Sequence, residues 1–156
     1  MHFSSRQDID APIAFVFTRM TDFKSFERQA LRRGADVRRV DKLASPGVGM
    51  GWLANFSFRG KEREVRVEIV EFDQPNGYKA KATSSGIDSD VVVDLVPLSR
   101  GRTRLSVSID LAGKSLGARL MLQSLKLAKG NLNSRFQKRV RTMALDIMER
   151  HRAQSD

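Results

Sequence analysis

Few residues in this 156-residue chain have the type and spacing that chemistry requires. The two histidines, His2 and His151, stand near opposite ends of the sequence and away from any predicted pocket. That placement argues against a histidine general base, a Ser-His-Asp triad and a histidine-rich metal site. Cysteine is absent, which removes disulfides, thiolate nucleophiles and Cys-ligated zinc together. The stretch "GVGMG" (47–51) resembles a phosphate-cradling loop, but a strand-like pattern follows it where a helix would be needed, so it is expected to be loop scaffolding. "DSDVVVD" (88–94) places Asp88, Asp90 and Asp94 on one face of a strand, where a metal or acid-base reading is available. These acids alternate with Val91, Val93 and Leu95, so they fall on a wet face, with Arg102 and Arg104 of the next strand as expected ion-pair partners. Glu64 and Glu68 are solvent-facing by the same reasoning. No catalytic residue, metal ligand or cofactor is assigned on this basis, and Tyr78 is the best internal acid-base candidate.

The remaining chemistry is that of apolar surface. Trp52, Phe56, Phe58, Tyr78, Met121, Leu125 and Phe136 are large or adaptable side chains, and they form the candidate ligand-binding set. They converge only if a sheet and a C-terminal helix face one another. Otherwise they are plain core.

The sequence pattern predicts those elements. Residues 3–9 form a first strand, and Asp10 or Ala11 caps a helix whose first turn tolerates Pro12. Ile13, Val16, Phe17 and Met20 follow at the spacing of one helix face. Thr21 or Asp22 offers a fresh cap to a second short helix, with Phe23, Phe26 and Ala30 inward and an end at Gly34. The period then changes to two. Strands are expected at 35–43 and 52–58, the latter with Trp52, Ala54, Phe56 and Phe58 on one side. Gly60 and Lys61 turn into a strand over 61–72 whose phase slips at Val70, the sign of a bulge. "QPNG" (74–77) marks a turn, and strands at 78–82, 87–96 and 103–111 complete an antiparallel meander with one dry face.

A helical pattern closes the chain from about Ser115 to His151, with Met121, Leu125, Ala128, Leu132, Phe136, Val140, Met143 and Ile147 in one stripe. Unbroken, it would reach about 55 Å, so a break is expected at Gly130. The piece after it, about 31 Å long, matches the length of a nine- or ten-residue strand and can cover the dry face. The piece before it carries the outward residues Leu116, Leu120 and Leu127, as a separate segment, a flap or a subunit contact.

The net charge of +10 is uneven. Residues 113–152 hold 10 Lys and Arg against only Asp146 and Glu149. Such a segment attracts phosphate on nucleic acid or lipid headgroups, and is also simply a solvated helix face. On a helical wheel Arg119, Lys126, Lys138 and Arg141 take the polar side, while Arg135 and Arg139 flank the apolar stripe. Residues 1–20 lack the apolar run of a secretory signal, and no stretch is long and apolar enough to span a bilayer. The expectation is one soluble, cytoplasmic domain over 1–156, of α+β class.

The order of strand, two short helices, six or seven antiparallel strands and a long helix resembles the helix-grip fold of the START and birch-pollen-allergen-like (SRPBCC) superfamily. "DAPIAFVFTRMTDFKSFE" is similar to its strand-corner-helix opening, and "VRVEIVEFDQPNGYKA" to its central hairpin ending in Asp and Pro. The C-terminal amphipathic helix completes the resemblance, which covers nearly the whole chain. Many members have a tryptophan shortly after the first helix, where this chain has Phe26. The resemblance implies a cavity between sheet and helix, and hence noncatalytic binding or carriage of a small hydrophobic molecule such as a lipid, quinone, fatty acid or polyketide-like compound. Two alternatives stand beside it: an enzyme similar to the polyketide aromatases and cyclases, and association of the basic C-terminal segment with nucleic acid or an anionic membrane. The oligomeric state is left open.

Overall fold

A computed structural model describes residues 1–155, and the side chains of residues 1–154. The chain runs β1 (His2–Ile9), α1 (Ile13–Met20), α2 (Phe23–Arg32), β2 (Asp36–Arg39), β3 (Gly51–Phe58), β4 (Lys61–Asp73), β5 (Gly77–Ser84), β6 (Ile87–Ser99), β7 (Arg102–Gly113), α3 (Leu116–Lys126) and α4 (Lys129–Ser155). The seven strands form one antiparallel sheet in the order β1-β7-β6-β5-β4-β3-β2. This is the α+β helix-grip architecture: a curved sheet holding a long C-terminal helix.

Local chemistry accounts for most element ends. Asp22 caps α2 by accepting the Ser25 backbone N–H at 3.3 Å, and Ser115 caps α3 by accepting that of Ala118 at 3.1 Å. The β3–β4 hairpin turns on Arg59 and Gly60, one residue earlier than the expected Gly60 and Lys61. Both have positive φ (53° and 72°), as a two-residue turn between Phe58 and Lys61 requires. The bulge in β4 falls between Ile69 and Glu71, around Val70 as expected. At Gly77 a side chain is excluded outright, because a Cβ there would lie 2.0 Å from the Val93 carbonyl oxygen.

Other boundaries differ from expectation. β2 is only four residues long, because Asp41 draws the chain out of the sheet: its carboxylate accepts the backbone N–H groups of Leu43 and Gly51, each at 2.8 Å. Pro12, and not Asp10 or Ala11, occupies the cap position of α1, with extended backbone (ψ 150°). The opening corner is held from elsewhere, by the buried Thr103 hydroxyl donating to the Ala11 carbonyl at 2.8 Å. Arg102 and Arg104 pair with Asp8 and Asp10, and not with the acids of β6, because β1 is their other neighbour in the sheet. Arg104 Nε lies 2.9 Å from Asp8 Oδ1. The final break comes at Leu127–Ala128, and Gly130 sits inside the first turn of α4.

Two apolar clusters fill the concave side. The first joins α4 through Val140, Ala144 and Ile147 to Ile9 of β1, Val16, Phe17 and Met20 of α1, Val93 and Leu95 of β6, and Leu105 of β7. The second joins Phe23 of α2 to Met50, Trp52, Ile69 and Ala80. The long helix therefore covers the β1–β7–β6 half of the sheet, and α2 faces the other half. Replacing Ile147, 2 % exposed, by Ala is expected to cost about 2–5 kcal/mol in urea unfolding. Leu145→Ala, on the opposite face and 55 % exposed, is expected to stay within about 0.5 kcal/mol of wild type.

Candidate functional site

Between the two clusters the concave face is incompletely filled. Strand alternation sets Tyr78, Ala80 and Ala82 of β5 toward the helices, with Ser89, Val91 and Val93 of β6 and Val107, Ile109 and Leu111 of β7 beside them. Two apolar recesses open along this strip. One, about 260 Å³, lies under α3 and is walled by Phe56, Phe58, Val65, Ala82, Ile87, Leu111, Met121, Leu122 and Leu125. The other, about 400 Å³, lies under the first half of α4 and is walled by Met20, Phe26, Tyr78, Val91, Val93, Val107, Phe136, Val140 and Met143. Ser89 lines the first and Val91 the second. They are alternate residues of one strand, about 7 Å apart, so the two recesses, which share no wall residue, follow one another along the trough of the concave face.

The candidate residues are thus divided and not gathered at one point. Phe56, Phe58, Met121 and Leu125 wall the α3 recess, and Tyr78 and Phe136 the α4 recess. Trp52 lines neither. It is packed edge-on against Phe23 (centroids 5.2 Å apart), and its indole N–H donates to Glu27 Oε1 at 2.7 Å. Arg39 stacks over its ring at 5.7 Å and is held by Asp41, with Nε 2.7 Å from Oδ2. Trp52 is a rivet between β3 and α2. Tyr78 is also committed: its hydroxyl donates to the Met20 carbonyl at 2.7 Å, capping the last turn of α1. Burial pushes its pKa far above the ordinary value, so the hydroxyl stays protonated near neutrality.

No protein-family model matches the sequence, and neither does any curated protein. Solved structures do match in shape. A Thermus thermophilus protein superimposes with a TM-score of 0.65 at 14% identity over 100% of both chains. An aromatase/cyclase of a Streptomyces species gives 0.64 at 12% identity, over 96% of this chain and 94% of its own. A START superfamily protein of Mycobacterium smegmatis gives 0.56 at 12% identity, over 88% and 97%. The chain has the START-like (SRPBCC) helix-grip fold. Identities this low establish that START-like fold and nothing about chemistry.

Within the START-like frame, the recess walls contributed by Met20, Phe26, Val91, Val107 and Met143 lie outside the candidate set. Their signal was present as inward positions on α1, α2, β6, β7 and α4, but nothing local separates a wall residue from a core residue. Among the described residues no group of His, Cys, Asp and Glu could hold a metal ion, and no helix is long and apolar enough to cross a membrane. Arg119 and Lys126 belong to α3, and Lys138 and Arg141 to α4 beyond the break. Of the four only Lys138 lines the cleft between α2 and α4.

Tyr78→Phe removes the partner of a part-buried carbonyl. It is expected to cost about 1–3 kcal/mol of stability while leaving ligand uptake intact, as checked by urea unfolding and probe titration. Asp41 is held well below its ordinary pKa of 3.8, first by Arg39 and then by the two backbone N–H groups. Its contribution is therefore present above pH 3.8 and lost as the pH falls below it. Asp41→Asn is expected to lower the urea midpoint at neutral pH, and the difference from wild type is expected to close in acid.

Proposed function

We propose that the protein binds a small hydrophobic molecule, without catalysis, in the trough between the sheet and helices α3 and α4. One observation carries this reading. The concave face leaves two solvent-open recesses of about 260 and 400 Å³ whose floors and walls are mainly apolar, with Arg63 and four hydroxyl residues at the edge of the first and Arg135 and Arg139 at the edge of the second. The larger lies in the size range of small-molecule sites. Burial of a guest's apolar surface supplies about 25 cal/mol per Å² before the costs of association.

The noncatalytic reading rests on the lining. Among the described residues it offers no carboxylate or imidazole, and the Tyr78 hydroxyl is already engaged. A solved aromatase/cyclase shares the fold, but no arrangement of groups in this trough favours that chemistry over binding. The soft walls, Met20, Met121 and Met143, suit guests of more than one shape.

Native mass spectrometry of freshly purified protein, followed by solvent extraction, is expected to release a hydrophobic compound. Emptied protein is expected to take up an apolar fluorescent probe. Val107→Phe, which puts a ring into the α4 recess, is expected to weaken the probe by about tenfold or more while the chain still unfolds cooperatively. A protein that is always empty and gains no thermal stability from any apolar compound would sink the proposal.

A further inference from the structure

Beside the α4 recess lies a cleft of about 750 Å³ between α2 and α4. Its walls repeat every three or four residues on both helices, so each helix turns one whole face to it. From α2 come Arg28 and Arg32, with Arg33 at its C-terminal cap, and from α4 come Arg135, Lys138 and Arg139. The one acid in the lining, Asp146, is taken by Arg150 at 2.9 Å. None of the six cations makes an ion pair among the described residues. Like charges facing each other across a cleft repel, and an anion between them adds an attraction to each cation that offsets the repulsion.

The cleft is not separate from the trough. Arg135, Arg139 and Met143 line both, so one end of the apolar recess opens among guanidinium groups. Guanidinium matches carboxylate and phosphate oxygens in bidentate geometry. Resting on the binding function proposed above, we infer that the ligand is an acidic amphiphile. Its hydrocarbon part occupies the α4 recess, and its carboxylate or phosphate lies in the cleft between α2 and α4.

The test is displacement of a neutral apolar probe by four compounds below their aggregation limits: dodecanol, laurate, dodecyl phosphate and inorganic phosphate. Laurate and dodecyl phosphate are expected to bind about tenfold or more tightly than dodecanol, as a charge-assisted hydrogen bond implies, with raised salt narrowing the gap. The ratio of laurate to dodecyl phosphate says which head group is preferred. Arg28→Gln with Arg32→Gln, which do not line the recess, is expected to erase the preference for the acids and leave dodecanol unchanged. Arg139→Gln, at the junction, is expected to erase it alone, and unchanged thermal midpoints show that each variant is folded.

Equal affinity for the alcohol and the two acids overturns the inference while leaving the apolar site standing. So does inorganic phosphate binding as tightly as dodecyl phosphate, which makes the cleft a free-anion site. Tight binding of an RNA oligomer, with no preference among the chain compounds, overturns it in favour of nucleic acid. If neither the probe nor dodecanol binds, the trough reading itself fails and this inference falls with it.

Discussion

The structure depends on one constraint: a sheet that is dry on one face needs an apolar rod of its own length laid along it. Helix α4, 27 residues and about 40 Å long, is that rod. Its buried residues Val140, Ala144 and Ile147 meet Ile9, Leu95 and Leu105 from three adjacent strands, with α1 wedged alongside. Other features follow from that docking. The first strand pairs with the last, so the opening corner sits beside the helix, and Thr103 pins the corner to β7 through the Ala11 carbonyl. The two short helices then have a fixed starting point.

The same constraint explains why the interior is unevenly filled. Where α4 presents Ala144 and Ile147, it lies close to bulky strand residues and the core is tight. In its N-terminal half the helix presents Phe136, only partly buried, over Val91 and Val107, with the partly buried Met143 at the edge of the same recess. Under α3 the sheet offers Ala82 and Ser89 beneath Met121 and Leu125. Small residues below and long flexible residues above leave space that dispersion contacts do not close. Phe23 packs edge-on against both Trp52 and Tyr78, which ties α2 to β3 and β5.

Much of this was legible from local pattern. The apolar periods placed the strands and helices, the slip at Val70 marked the bulge in β4, and Thr21 and Asp22 marked the start of α2, where Asp22 forms the cap. What failed to be legible involves partners distant in sequence. Arg102 and Arg104 had two possible neighbours, and sequence proximity suggested β6, whereas their carboxylates come from β1, about a hundred residues away. Gly130 is a reasonable helix breaker, but a glycine in a first turn costs little, and the break falls earlier, at Leu127–Ala128, after a separate α3 that buries its own Ala118 and Leu122. Trp52 and Tyr78 have the composition of ligand walls, yet their polar atoms are spent on Glu27 and Met20.

The sequence by itself determined which residues turn inward, because side-chain direction follows from the period of two or of 3.6 that each segment carries. It also determined the basic character of the last helices, since charge is a property of composition. Only the tertiary structure decided which inward residues line an open recess and which are packed, because a recess is the shortfall between two facing surfaces and belongs to neither strand nor helix alone. It likewise decided that Arg28 and Arg32 face Arg135 and Arg139, about a hundred residues further along the chain, across the mouth of that recess. Local periodicity is blind to such a meeting, because the packing of α2 and α4 against a shared sheet is what creates it.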